Sequence, residues 1–196
     1  MASNKVKFGL KNVHYALVTE TTTSGVTTTT YGTPVSYPGA VSLTVNGAGD
    51  SEDSIFRADD SDYYVIAGSN QGFDGSFEAA LIPEGFETDV LGAVKDQNGV
   101  VVESASDVSK YVAVLFEISG DNSGRRYCVP KVKFSKPSLE AETTGTDGNQ
   151  PKTSTLNFKA VPRPDDNLAK FHTGDTTTTT VYDNWFSAVY TPTFSG

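Results

Sequence analysis

Short runs in which apolar and polar residues alternate one by one set the tightest limit on what this chain can fold into. Between Phe73 and Ile82, Phe73, Phe77, Ala79 and Leu81 fall on one face and Asp74, Ser76, Glu78 and Ala80 on the other. Pro38 to Gly47 repeats the pattern, with Val41, Leu43 and Val45 inward and Ser42, Thr44 and Asn46 outward. Thr153 to Ala160 does so again, with Leu156 and Phe158 inward. A period of two belongs to half-buried strands, and no long stretch carries the helical period. Glycine, threonine, valine and aromatics are plentiful, so the chain is expected to be mainly β.

Other segments refine this. Residues 4–18 read as a basic strand, Val6, Phe8 and Leu10 alternating with Lys5, Lys7 and Lys11, then a small turn near Gly9 to Asn12 and an apolar run from Val13 to Val18. Residues 47–62 read as a long acidic loop returning through a strand from Tyr63 to Ala67. Pro83 to Gly92 is the one helix candidate: proline suits its first turn, Glu84 and Glu87 suit its N-terminal dipole, and Gly92 can end it. Asn98-Gly99 has hairpin-turn chemistry, and Glu142 to Lys152 is a polar, turn-rich loop. Tyr111 to Ile118 is apolar on both faces, which predicts a central strand covered on each side, and Arg125 to Phe134 reads as a basic strand. Val181 to Tyr190 reads as an aromatic, strand-like segment within a C-terminal arm of about 172–196. The threonine tracts Thr27 to Thr30 and Thr176 to Thr180 fit exposed strands or arms and flexible linkers equally well.

Composition narrows the function classes. With 196 residues, 37% of them hydrophobic, the chain supports one sizeable core and is expected to be a single domain. A formal charge of −9 argues against a nucleic-acid surface of the usual basic kind. Cys128 is the only cysteine and is expected to be a buried packing residue, so no intrachain disulfide forms. No signal peptide or stretch of transmembrane length is present, so the expectation is synthesis in a cytosol and no membrane partner. His14 and His172 stand in unrelated contexts, no nucleophile elbow or phosphate-binding loop occurs, and Gly120 to Gly124 is turn chemistry. The acids of 47–62 match no EF-hand spacing, and zinc ligands are too few. No catalysis, metal or cofactor is expected; paired carboxylates of a glycan hydrolase are set by three-dimensional separation, on which the sequence is silent.

Charge is segregated along the chain. Residues 1–19 hold three bases and no acid, residues 125–136 five bases and no acid, and residues 47–62 six acids against one base. Two readings follow. Lys5, Lys7, Lys11, Arg125, Arg126, Lys131 and Lys133 of one copy meet Asp50, Glu52, Asp53, Asp59, Asp60 and Asp62 of another, head to tail, or the patches neutralise each other within one subunit.

Several strings share one collinear pattern: Lys7-Phe-Gly-Leu-Lys-Asn-Val-His-Tyr-Ala16, Ala58-Asp-Asp-Ser-Asp-Tyr-Tyr64, Gly72-Phe-Asp-Gly-Ser-Phe-Glu-Ala-Ala-Leu-Ile-Pro-Glu-Gly-Phe86 running to Leu91-Gly92, Gly124-Arg-Arg-Tyr-Cys128, Lys136-Pro-Ser-Leu-Glu140, Phe158-Lys-Ala-Val-Pro-Arg-Pro164 and Asn184-Trp-Phe186. In these the chain resembles the major tail proteins of long non-contractile-tailed phages, in particular the family from phages and prophages of Gram-positive bacteria. The resemblance implies a β-sandwich or barrel-like tail-tube domain with one short helix and extended loops or arms. It implies hexameric rings stacked into a hollow tube in the virion, walled by strands of all six copies, through which DNA passes without specific binding. Tape measure, tail terminator and distal tail proteins would be its partners, and the host cytoplasm its place of synthesis. The threonine tracts are richer than the family pattern, and no immunoglobulin-like decoration domain is expected after Trp185. A polar or acidic bore would repel phosphates, which makes Thr44, Asn46, Asp74 and Glu78 the lumen candidates and the 47–62 loop the stacking candidate. The competing expectation is a carbohydrate-binding, adhesin-like β-sandwich that stacks sugars on exposed Tyr63, Tyr64 or Trp185.

Overall fold

A computed structural model describes residues 9–48, 54–58, 61–66, 71–119, 124–139 and 152–194, with the backbone alone at 54–58 and 61–66. The chain is mainly β, 45% strand and 9% helical, as expected. In chain order the strands are β1 (Leu10–Thr23), β2 (Val26–Tyr31), β3 (Val35–Ser36), β4 (Ala40–Gly47), β5 (Ser54–Ala58), β6 (Ser61–Ile66) and β7 (Phe73–Ala79). After the helical segment come β8 (Val94–Lys95), β9 (Val101–Val102), β10 (Tyr111–Ile118), β11 (Arg126–Phe134), β12 (Ser154–Ala160) and β13 (Phe171–His172). The main sheet runs β2-β1-β10-β11-β12-β7-β4, with β3 added on β1 and β13 on β11. Its pairings are antiparallel.

A short seam joins β11 to β12, with Val132, Lys133 and Phe134 paired against Ala160, Lys159 and Phe158. One backbone hydrogen bond lies beyond each end, Ser135 N–H to the Asn157 carbonyl and Val161 N–H to the Lys131 carbonyl. That short seam lets the sheet fold over, and β4 comes back against β1. The two halves enclose one core, in which Val112, Val114, Phe116, Val129 and Val132 face Phe77, Leu156 and Phe158. The open side is plugged by α1 (Glu84–Phe86), which continues as one π-helical turn over Glu87–Leu91 and stops at Gly92 with φ 88°. This is the expected helix. Phe86 enters the core edge-on to Tyr15, Tyr37 and Phe134, at 5.0, 5.1 and 5.3 Å between ring centres. Glycine is required at position 92, because a Cβ there would lie 2.9 Å from the Val108 carbonyl.

β10 is buried on both faces, as its sequence predicts. Its second face meets a smaller cluster of Ala16, Ala113, Leu115, Cys128 and Trp185, closed by the C-terminal segment. Pro130 sits inside the central strand β11, where it would remove a ladder hydrogen bond. The register slips there, Val112 pairing with Val132 but Val114 with Val129, so the proline occupies a bulge.

Several expectations need correction. The turn near Gly9 to Asn12 is a bulge in one continuous strand, with Asn12 at φ 53°, and that strand runs on to Thr23. Of the two threonine tracts, Thr27 to Thr30 is a strand, β2, as one of its two readings had it, whereas Thr179 and Thr180 open a helix that neither reading foresaw. The 47–62 segment is not all loop, because β5 and β6 pair within it. A register shift between Ala40 and Ser42 turns Val41 outward, leaving Leu43 and Val45 against the core, and Leu81 is exposed because β7 ends at Ala79. Val181 to Tyr190 is not strand-like: α2 (Thr179–Asp183) and following turns place Trp185 against the sheet at 3% exposure. The Gly120 and Glu142 loops lie largely outside the described residues.

Truncation of the plug tests this architecture. Phe86→Ala is expected to destabilise the chain by about 3–5 kcal/mol, because neighbours across two sheet halves cannot collapse into the space. Urea denaturation of both proteins measures the difference.

Candidate functional surface

The outer face of the β4–β7–β12 half gathers the four lumen candidates. Antiparallel register sets Ser42, Glu78 and Thr155 in one row, Thr44, Ser76 and Asn157 in the next, and Asn46, Asp74 and Lys159 in the third. The alternation that buries Leu43, Phe77, Leu156 and Phe158 on one side necessarily turns these residues to the other. The face therefore carries hydroxyls, amides, two carboxylates and one ammonium. Ser42, Thr155, Asn157 and Lys159 each followed from a strand's own alternation. Their grouping with Thr44 and Asp74 required knowing that β7 lies between β4 and β12.

Gly75 makes the rows possible. It lies between Val45 and Phe158 on neighbouring strands, and a Cβ there would sit 2.1 Å from the Thr44 carbonyl and 2.3 Å from the Phe158 ring. A side chain at this position has no room. Glu78 is held in place by hydroxyls that donate to its carboxylate, Thr153 to Oε1 and Ser42 to Oε2, the latter at 3.0 Å. Those two bonds, Thr153 first, lower its acidity midpoint below the usual glutamate value. β4 closes one end of the sheet path, with no strand beyond it among the described residues.

The basic residues expected at contacts between copies are engaged inside the chain. Lys11 Nζ lies 2.9 Å from Glu117 Oε1, and Arg126 Nε lies 3.5 Å from Oε2. Asn12 Nδ2 donates to the same carboxylate at 3.1 Å. Glu117 is 5% exposed near the end of β10, a buried charge that an apolar reading of this strand passes over. Arg126 also donates to the Tyr182 carbonyl and stacks 3.8 Å above the Tyr182 ring, tying α2 to the sheet. Lys131 pairs with Glu20 and lies over the Tyr111 ring, which Lys133 also approaches. Arg125 meets Asp175 at 3.4 Å on the surface, a pair worth little. Lys11, Arg125, Arg126 and Lys131 thus meet carboxylates of their own chain, which fits the reading of neutralisation within one subunit. Lys5, Lys7, Asp50, Glu52, Asp53, Asp59 and Asp60 lie outside the described residues. Asp62, Tyr63 and Tyr64 fall on β6, where the backbone alone is described.

Trp185 is buried and its indole nitrogen donates to the Tyr127 carbonyl at 3.4 Å, so it cannot stack on a sugar. Beside it, a cavity of about 430 Å³ is lined mainly by Phe171, Val181, Tyr190 and Phe194, with His172 as its titratable edge besides the tyrosine. No carboxylate pair lines it, so hydrolytic chemistry of the two-carboxylate kind has no seat there. Cys128 is fully buried, and burial pushes its thiol well above the usual range, as suits a packing residue. No protein-family model and no curated protein sequence matches the chain.

Two outcomes follow. Glu117→Ala leaves Lys11 and Arg126 without their shared anion and is expected to cost about 3 kcal/mol in denaturant unfolding. For Glu78 the folded midpoint is depressed, so its contribution is present above the unfolded value and fades as pH falls through the folded one. NMR titration is expected to place Glu78 below an unstructured glutamate, and Thr153→Val to raise it.

Proposed function

We propose that the chain is a structural subunit of a phage tail tube, assembling as hexameric rings stacked into a conduit for DNA. The observation that carries this reading is the polar face on β4, β7 and β12, which ends at β4 with no strand beyond it among the described residues. Six such faces set side by side make a closed wall without loose edges. A wall of hydroxyls, amides and a slight excess of carboxylate offers phosphates no cluster of cations, so DNA slides rather than binds. The collinear resemblance supplies the ring number, the virion location and the tape measure, terminator and distal tail partners. Under this reading the chain performs no catalysis and needs no cofactor.

The fold bears on how copies meet. Since Lys11, Arg126 and Lys131 serve the single chain, stacking of rings draws on other groups, among which the 47–62 acids remain candidates. The single-chain core is complete, with both faces of β10 covered, so a subunit can fold before it assembles.

Electron microscopy of the purified chain is expected to show hollow tubes or six-fold rings. A chain that stays monomeric at high concentration and binds glycans overturns the reading. Charge reversal separates the lumen from the shell. Asp74→Lys with Glu78→Lys is expected to leave tube dimensions unchanged in particles built with the variant, while DNA delivery falls about tenfold or more as phosphates are captured.

A further inference from the structure

The hairpin of β1 and β2 carries its own control on pairing. Ser24 and Gly25 form its two-residue turn, with φ of 52° and 82°, the geometry of a type I′ turn. Thr23 and Val26 flank that turn and exchange both backbone hydrogen bonds. Alternation from there makes Glu20 and Thr29 a non-bonded pair, so the Thr29 N–H points off the outer edge of β2. An N–H in that position is where a foreign strand would begin to pair.

That donor is already taken. Asp165 Oδ2 accepts the Thr29 N–H at 3.2 Å, and Thr29 is 9% exposed. The carboxylate is delivered by a loop built around Arg163, which is 2% exposed. Arg163 donates from Nε to Asp166 Oδ1 at 2.9 Å and from Nη2 to Asp166 Oδ2, and from Nη1 to the Tyr31 hydroxyl at 3.2 Å. Its Nε also lies 3.3 Å from Asp165 Oδ1. The backbone closes on itself, Arg163 N–H to the Leu168 carbonyl and Asn167 N–H to the Arg163 carbonyl, both at 3.0 Å. Pro162 and Pro164 restrict the chain on either side of the arginine. A buried, bidentate guanidinium thus anchors one end of the loop to the β2 edge at Tyr31, and a carboxylate occupies that edge two residues further out, at Thr29.

We propose that Asp165 is an edge guard, keeping β2 out of strand pairing between copies. An edge strand with free donors can pair with another copy in the wrong register; occupying the Thr29 donor removes that choice at β2. The guard goes beyond the tail-tube reading and holds for any assembly this chain forms.

The test compares the full chain with Asp165→Ala, Asp165→Asn and Asp165→Ala combined with Thr29→Pro. Sedimentation velocity reads association, and amide exchange at Thr29 reports whether its N–H has been freed. Asp165→Ala is expected to associate at a concentration at least about tenfold below the wild-type threshold. Asp165→Asn keeps an acceptor oxygen and is expected to match the wild type. Proline at position 29 removes the freed donor without touching the β1 ladder, and is expected to reverse the gain. An Asp165→Ala protein with unchanged association overturns the guard. So does association that survives Thr29→Pro, which would mark it as aggregation of loosened chains. Neither result bears on whether the wild type forms tubes.

Discussion

Strand β10 is the member on which the rest of the structure depends, because it is buried on both faces and each face organises a separate set of elements. Val112, Val114 and Phe116 meet the folded-over sheet half and the Phe86 plug, while Ala113 and Leu115 meet Trp185 and the C-terminal segment. Burial of these apolar side chains supplies about 1.5–3 kcal/mol each, which is the scale on which the fold is decided. Glu117 belongs to the second face and is tolerated there because Lys11, Asn12 and Arg126 surround it. The same strand therefore fixes the N-terminal strand, the neighbouring strand β11 and, through Arg126 and Tyr182, the C-terminal helix.

How much of this was legible in the sequence follows from the range of the interactions involved. Alternation is local, so β7, β12 and the covered strand β10 were readable, as was the helix from Pro83 to its Gly92 stop. The bulge that exposes Val41 is a mismatch between two strands and leaves no mark on either alone. Val181, Trp185 and Val189 stand four residues apart, a helical signal that the aromatic density of the segment obscured. Charge segregation was visible, but its partners were not: Lys11 with Glu117 and Glu20 with Lys131 are more than a hundred residues apart in sequence. The lumen candidates came from two strands read separately. Their union on one face, with Ser76, Asn157 and Lys159 between and beside them, depends on strand order, which the sequence does not encode locally.

Among the described residues, the polar face ends at β4 and the occupied Thr29 donor lies on β2, at the opposite end of the sheet path. A face that is to line a bore has to be flat, polar and continued by a neighbour, and continuation requires an edge that is free. A free edge is also a hazard, and on β2 the Asp165 carboxylate, set beside the buried Arg163, accepts the outward Thr29 N–H. Burial of Trp185 removes one of the three residues on which the competing glycan-binding reading rests.

The most direct test is a helical reconstruction by cryo-electron microscopy of the assembled chain, at a resolution that orients β4, β7 and β12 relative to the axis. The account predicts a hollow tube of six-fold rings with Thr44, Asn46, Asp74 and Glu78 facing the bore. A tube in which this face points outward, or is buried between rings, would contradict it.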